Sequence, residues 1–375
     1  MTKHINGVPV VQRSDYTKRK RRLRLIWFLP AAVVFLERLW IPFDFETQFN
    51  MQGLGDVSLK HVDELRYKVR VPRLDRLSAS SILNAVCSGK WTTSQIQNVH
   101  NPESHSTSTY KIPRIVHQTS KSRCVTPAFF ELTNQWKFPG WSYYFHDDDA
   151  MERLLEIEFP EFAHLSSVIR NCATNGTIKA DIWRYLVLYV YGGVYADLDA
   201  VPGTFDGDTI SPDDEGFFVV EQYHILSQWF MAVRPRHPLM YYAIQHALTN
   251  LMDTNDIHKI DAARQTGPHA LHSALIDFVR DAGGFVDSII PGVKPVKRGT
   301  YQGIGGSSIR VEGRAESQNE IVNRSGLSEG KRMSGYRAMG MTHFSVFRDG
   351  KESSHLSCQQ ALQQETFRAI ELSNT

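Results

Sequence analysis

Residues 179–202, KADIWRYLVLYVYGGVYADLDAVP, decide the reading of this chain. Ile178, Ile182, Tyr185, Leu186 and Tyr189 recur at helical spacing and predict one buried stripe. Asn175 and Thr177 are cap candidates upstream. Gly192 and Gly193 predict the stop, because glycine turns left-handed without a Cβ penalty. The period then falls to two, with Val194, Ala196 and Leu198 on one face of a strand and Tyr195, Asp197 and Asp199 on the other, and Pro202 ends it.

Two carboxylates two residues apart on a strand lie about 7 Å apart along the chain. They need a cation or a shared proton if buried. Hard oxygen pairs of this kind suit Mn²⁺ or Mg²⁺, completed by water and phosphate. Asp181 and Arg184, at i and i+3, share a helix face. An acid beside a guanidinium can orient a polyhydroxylated, phosphorylated ligand, the carboxylate accepting from hydroxyls and the guanidinium donating to oxygens. The tripeptide alone also reads as a solvated strand end.

The whole string resembles the DXD region of retaining glycosyltransferases of family 32, where a helix with Asp-x-x-Arg runs into Tyr-Gly-Gly and a strand ending in Asp-x-Asp. The resemblance implies an α/β fold of GT-A type, a Rossmann-like, mostly parallel sheet. It implies that Asp199 binds the metal, that Asp197 contacts donor and metal, and that Asp181 and Arg184 hold the donor sugar, with Tyr195 beside them. It implies a nucleotide-sugar donor, GDP-mannose first, and a glycan or glycolipid acceptor. A UDP-hexose donor, or an inactive glycan-binding scaffold, are the alternatives.

The resemblance extends outward. Ile112, Ile115 and Val116 predict a buried strand, and His117-Gln118-Thr119 resembles the family's nucleotide-lining opening, with Ser120 where Trp is usual. His117 alone reads equally as a core histidine. Gln228, Trp229, Ala232, Pro235, His237 and Pro238 resemble a segment of the initiation-type α-1,6-mannosyltransferases of fungi. Thr266-Gly267-Pro268 resembles a turn that shapes the sugar or acceptor pocket, and His269 and His272 depart from the residues usual after it. His343, with Ser345 second, stands where the family completes its metal shell, although the Gly-Ser-Trp ending is absent.

Helices are predicted over 127–136 and 239–251, and strands over 141–145 and 217–221. Asp147, Asp148 and Asp149 read as helix-capping acids, because negative charge is favoured at a helix N-terminus. The Gly-, Ser-, Arg- and Lys-rich stretch 293–335 reads as a long loop or lid.

The 375 residues are 42% hydrophobic and 22% charged, enough for one large domain with appendages. Net charge is +2, but residues 18–24 (KRKRRLR) hold six bases. Without them 36 basic residues face 40 acidic, or −4, so the charge gives no indication of nucleic-acid binding by the body. The apolar run 25–36 follows at once. It reads as an uncleaved signal anchor, with a cleaved leader or an amphipathic surface segment as alternatives. The basic flank predicts a cytoplasmic N-terminus and a lumenal body. The expected order is a basic tail (1–24), an anchor (25–43), a stem with a possible helix over 56–86 (44–110), a GT-A domain (111–350) and a tail (351–375), in a single-pass type II protein of the Golgi or ER membrane. Cys87, Cys124, Cys172 and Cys358 lack metal-ligand spacing and read as up to two disulfides or as buried thiols.

Overall fold

The computed structural model describes residues 69–79, 87, 89–105, 109–221, 224–284, 296–314, 321–324, 327–341 and 355–373. The basic run, the apolar run and His343 lie outside them. Among the described residues no helix is long and apolar enough to cross a membrane.

Seven strands form the central sheet: β1 (Ile115–Thr119), β2 (Ser142–His146), β3 (Gly193–Ala196), β4 (Gly216–Val220), β5 (Leu226–Val233), β6 (Gly299–Gln302) and β7 (Ser308–Arg314). Their order is β2-β1-β3-β5-β4-β7-β6. β1 pairs parallel with both β2 and β3, and β4 with β7. β5 runs against β3 and β4, and β6 against β7. The sheet is therefore mixed, with five strands sharing one direction. β5 reverses because the short link from β4 permits only a hairpin-like return.

The helices are α1 (Pro127–Asn134), α2 (Asp148–Leu155), α3 (Leu165–Cys172), α4 (Gly176–Tyr191), α5 (Pro238–Met252), α6 (Pro268–Arg280), α7 (Glu329–Ala338) and α8 (Cys358–Ser373). Asp147 caps α2 by accepting from Ala150 N at 3.0 Å, the role expected of that acidic run. One face of the sheet carries an aromatic core in which Trp136, Phe205, Phe217 and Phe230 touch.

Three expectations change. α4 is buried all round rather than along one stripe: Trp183, Val187 and Leu188 are as buried as Ile182 and Tyr185, because the helix packs against α2, α5 and β3. The stretch 293–335 is not simply a loop. Within it β6 and β7 extend the sheet, since Ile309 and Val311 alternate into the core, and α7 begins. The described part of the stem docks on the body rather than standing off it: Ser94–Gln95 pairs with Cys124–Val125, Ile96 is buried, and Cys87 is bonded to Cys124. Of the helix considered over 56–86, the described residues contain one turn, Leu74–Leu77. The second disulfide, Cys172–Cys358, ties α8 to α3.

Candidate active site

The site is built by α4 and the chain that leaves it. Asn175 caps α4, its side chain accepting from Ile178 N at 3.0 Å. Gly192 (φ 66°) and Gly193 (φ 98°) then turn the chain into β3. A Cβ on Gly193 would lie 2.6 Å from the Ile115 carbonyl, and one on Gly192 2.5 Å from Pro235. The Gly-Gly pair thus serves both a left-handed turn and close backbone passage.

β3 ends at Ala196, and Asp197 to Ala200 forms a tight turn closed by Ala200 N to Asp197 O at 3.0 Å. The expected strand through Asp199 is therefore too long by three residues. The turn is gripped at several points. Gln118 Nε2 donates to Asp197 O at 3.1 Å, and Asp197 N donates to Trp229 O at 2.8 Å. Trp136 Nε1 donates to Ala200 O at 2.9 Å. Tyr143 in turn holds Gln118, donating to its Oε1 at 2.8 Å.

Behind the turn lies a buried ionic network. Arg184 Nη2 is 3.2 Å from Asp181 Oδ1, and its Nη1 is 3.1 Å from Asp197 Oδ1. Nη1 also donates to Gln228 O at 3.3 Å, and the guanidinium lies 4.8 Å from the Tyr195 ring centroid. Tyr195 donates its hydroxyl to Asp197 Oδ1 at 2.6 Å. Thr266 Oγ1 donates to Asp181 Oδ2 at 2.9 Å. Tyr185 donates to Gly267 O at 3.0 Å and receives Gln228 Nε2 at 2.7 Å, so the Thr266–Pro268 turn is stitched to α4 and β5 before Pro268 starts α6.

Burial governs the protonation of these groups. Desolvation raises Asp181 to about 6, opposed by Arg184 and Thr266. Burial pulls Arg184 down, but Asp197, Tyr195 and Asp181 outweigh it and hold the guanidinium above its ordinary value. Tyr195 is raised well above the usual phenol by burial.

Asp199 is nearly buried and meets two residues that the sequence reading missed. Arg332 Nη1 is 3.4 Å from Asp199 Oδ2, and the Tyr336 hydroxyl bonds to Asp199. Both lie on α7. Their only sequence signal is the i, i+4 spacing that puts them on one helix face.

The structure thus brings Asp181, Arg184, Tyr195, Asp197, Gln228 and Thr266 into one network, with Gln118 and the Trp229 carbonyl holding its turn. His117 takes the core role. Its ring bonds Gly192 O at 3.1 Å and His146 at 3.2 Å, and burial lowers it to about 3. Ser120 donates to Met341 Sδ at 3.1 Å. His272 is buried in α6, lowered to about 4 by desolvation and then by His269.

Residues 126–214, from α1 through the Asp197–Asp199 turn, match the family model of the glycosyltransferase sugar-binding region containing DXD motif. The resemblance drawn from residues 178–202 is borne out by this match and by curated relatives. The chain is 30% identical over 115 residues to inositol phosphoceramide mannosyltransferase 3 of Schizosaccharomyces pombe, covering 28% of this chain and 29% of that protein. It is 23% identical over 197 residues to the initiation-specific alpha-1,6-mannosyltransferase of the same yeast, covering 45% and 49%. The chain thus spans less than half the length of these relatives. Among solved structures, the PaToxG glycosyltransferase is similar at a TM-score of 0.30 and 18% identity, covering 44% of this chain and 69% of that one, too slight a likeness to bear on the fold.

Proposed function

We propose that this chain is a divalent-metal-dependent retaining glycosyltransferase that moves mannose from GDP-mannose to a glycan or glycolipid. One observation carries the reading: Arg184 bridges Asp181 and Asp197 in a largely buried network beside Asp199, in the turn that follows β3. A sheet of this kind receives ligands at the carboxyl ends of its strands. The relatives named for inositol phosphoceramide and initiation-specific mannosyl transfer support a mannosyl donor and a lipid or glycan acceptor.

Asp197 and Asp199 fit Mn²⁺ or Mg²⁺, since two carboxylates leave the other positions to water and donor phosphate. Among the described residues no third His, Cys, Asp or Glu joins them in a metal-holding group, and the expected His343 lies outside those residues. A cation held there supplies neutralisation of charge on the leaving diphosphate. Arg184 donates to the sugar's oxygens, Asp181 accepts from its hydroxyls, and Tyr195 fixes the Asp197 carboxylate. No side chain of the network is placed as a free base. The acceptor proton passes to the departing phosphate oxygen on the face where the new bond forms, which retains configuration.

On this reading the protein sits in the Golgi or ER membrane, with an N-terminal anchor and a lumenal body. The two disulfides support an oxidising compartment, and the basic run before the apolar segment supports that orientation.

The test is turnover of GDP-mannose with a mannose-terminated glycan or an inositol phospholipid, followed by NMR of the anomeric proton. An α-linked product is expected. A β-linked product, or no donor turnover by folded protein with any acceptor, would overturn the reading. Turnover of a UDP-hexose alone would overturn the donor.

A further inference from the structure

Arg332 is a cation beside Asp199 to which this reading gives no role. It sits on α7, 133 residues beyond Asp199 in the chain, with its side chain 19% exposed. It meets Asp199 through Nη1 alone, at 3.4 Å, rather than in the two-pronged geometry a guanidinium adopts with a carboxylate. Its Nε is buried and has no hydrogen-bond acceptor among the described residues. The pair is loose, and the guanidinium has donor capacity to spare.

The helix beneath it is fixed. The Tyr336 ring lies 5.1 Å from that of Phe129, Met339 is buried, and a Cβ on Gly335 would come within 2.5 Å of the Phe129 ring. Tyr336 holds Asp199 from the same face. Any rearrangement at this point therefore falls to the long Arg332 side chain and not to α7. The Asp199 oxygens are also those a divalent cation would take, so cation and guanidinium compete for one carboxylate.

We propose that Arg332 is a two-position latch: it pairs with Asp199 until a divalent cation takes that carboxylate, and its freed guanidinium then binds the donor's diphosphate. The inference rests on the reading of Asp199 as a metal ligand. It predicts that removing the guanidinium helps the bare cation and harms the nucleotide.

The experiment is calorimetric titration of Mn²⁺ alone, and of GDP at saturating Mn²⁺, on wild type, Arg332→Gln and Arg332→Lys. Arg332→Gln should bind Mn²⁺ at least threefold more tightly and GDP about tenfold more weakly. Arg332→Lys keeps the charge but loses the Nε donor, so it should keep wild-type Mn²⁺ affinity and still bind GDP more weakly. Opposite shifts cannot come from partial unfolding, which would weaken both ligands. If wild type shows metal-dependent GDP binding and Arg332→Gln leaves either affinity unchanged or weakens both, the latch is wrong and the enzyme reading stands. If wild type binds neither Mn²⁺ nor GDP, the enzyme reading itself falls, and the latch with it.

Discussion

Asp181→Asn should flatten part of the pH dependence of folding. Burial raises the Asp181 carboxyl from 3.8 to about 6, despite Arg184 and Thr266 beside it. The folded protein therefore favours the protonated acid relative to the unfolded chain. This contribution to stability is fully present below the unfolded pKa near 4, and is lost as pH rises through about 6. The gap of about two units corresponds to about 3 kcal/mol, at about 1.4 kcal/mol per unit. Asparagine has the same shape and can still accept from Thr266, but it does not titrate. Arg184 keeps Asp197 as its partner, so any offset from the lost Asp181 pair is the same at every pH where Arg184 is charged. Urea denaturation of both proteins, disulfides intact, from pH 4 to pH 8 would measure the difference. Its change should favour the variant by about 2 kcal/mol between pH 4 and pH 7, the rest of the effect lying below pH 4, with most of the change between pH 4 and 6. A difference constant to within about 0.5 kcal/mol would refute the raised acid and the network that explains it. On the proposed function, in which the ionised Asp181 accepts sugar hydroxyls, GDP-mannose affinity should rise with pH through about 6 in wild type and be flat and weaker in Asp181→Asn.

Gln118→Leu removes the side chain that holds the Asp197 carbonyl and receives Tyr143. It should cost about 1–3 kcal/mol by urea denaturation and lower metal-dependent GDP affinity about tenfold by calorimetry. Gly193→Ala meets both a positive φ and the Ile115 carbonyl, so it should destabilise by at least ~2 kcal/mol in the same denaturation assay. Replacing Cys172 and Cys358 together by Ser opens a loop of 186 residues, and the chain-entropy estimate gives about 5 kcal/mol of lost stability. A urea denaturation free energy lower by that amount in the double variant than in wild type, with Cys87–Cys124 oxidised in both, would check it.

Much of this site is legible in residues 178–202 because its signals are local. Helical spacing, a Gly-Gly stop and paired acids each sit within one turn of chain, so Asp181, Arg184, Asp197 and Asp199 can be placed without tertiary information. The burial of α4 on every side is not legible, because a one-face stripe gives no sign of the helices that cover the opposite face. The turn at Asp197 is hidden for a similar reason. Alternation continues through Leu198, which is buried, while the hydrogen bonds that bend the chain come from Gln118, Trp229 and Trp136, all distant in sequence. Arg332 falls in a Gly-, Ser-, Arg- and Lys-rich stretch without marked periodicity and Tyr336 just past its end, and their partner is far away in the chain. His117 shows the reverse case. Its neighbours fit a nucleotide pocket, yet complete burial against Gly192 and His146 makes it a core residue.

The central claim is that the Asp197–Asp199 turn holds a divalent cation for a nucleotide diphosphate. Calorimetric titration of GDP into the folded protein, with Mn²⁺ and then with chelator, on wild type and Asp199→Ala, tests it most directly. The account predicts binding with Mn²⁺ that chelator abolishes and that Asp199→Ala lacks. GDP binding that ignores both the metal and the mutation, or no binding by wild type shown to be folded, would contradict it.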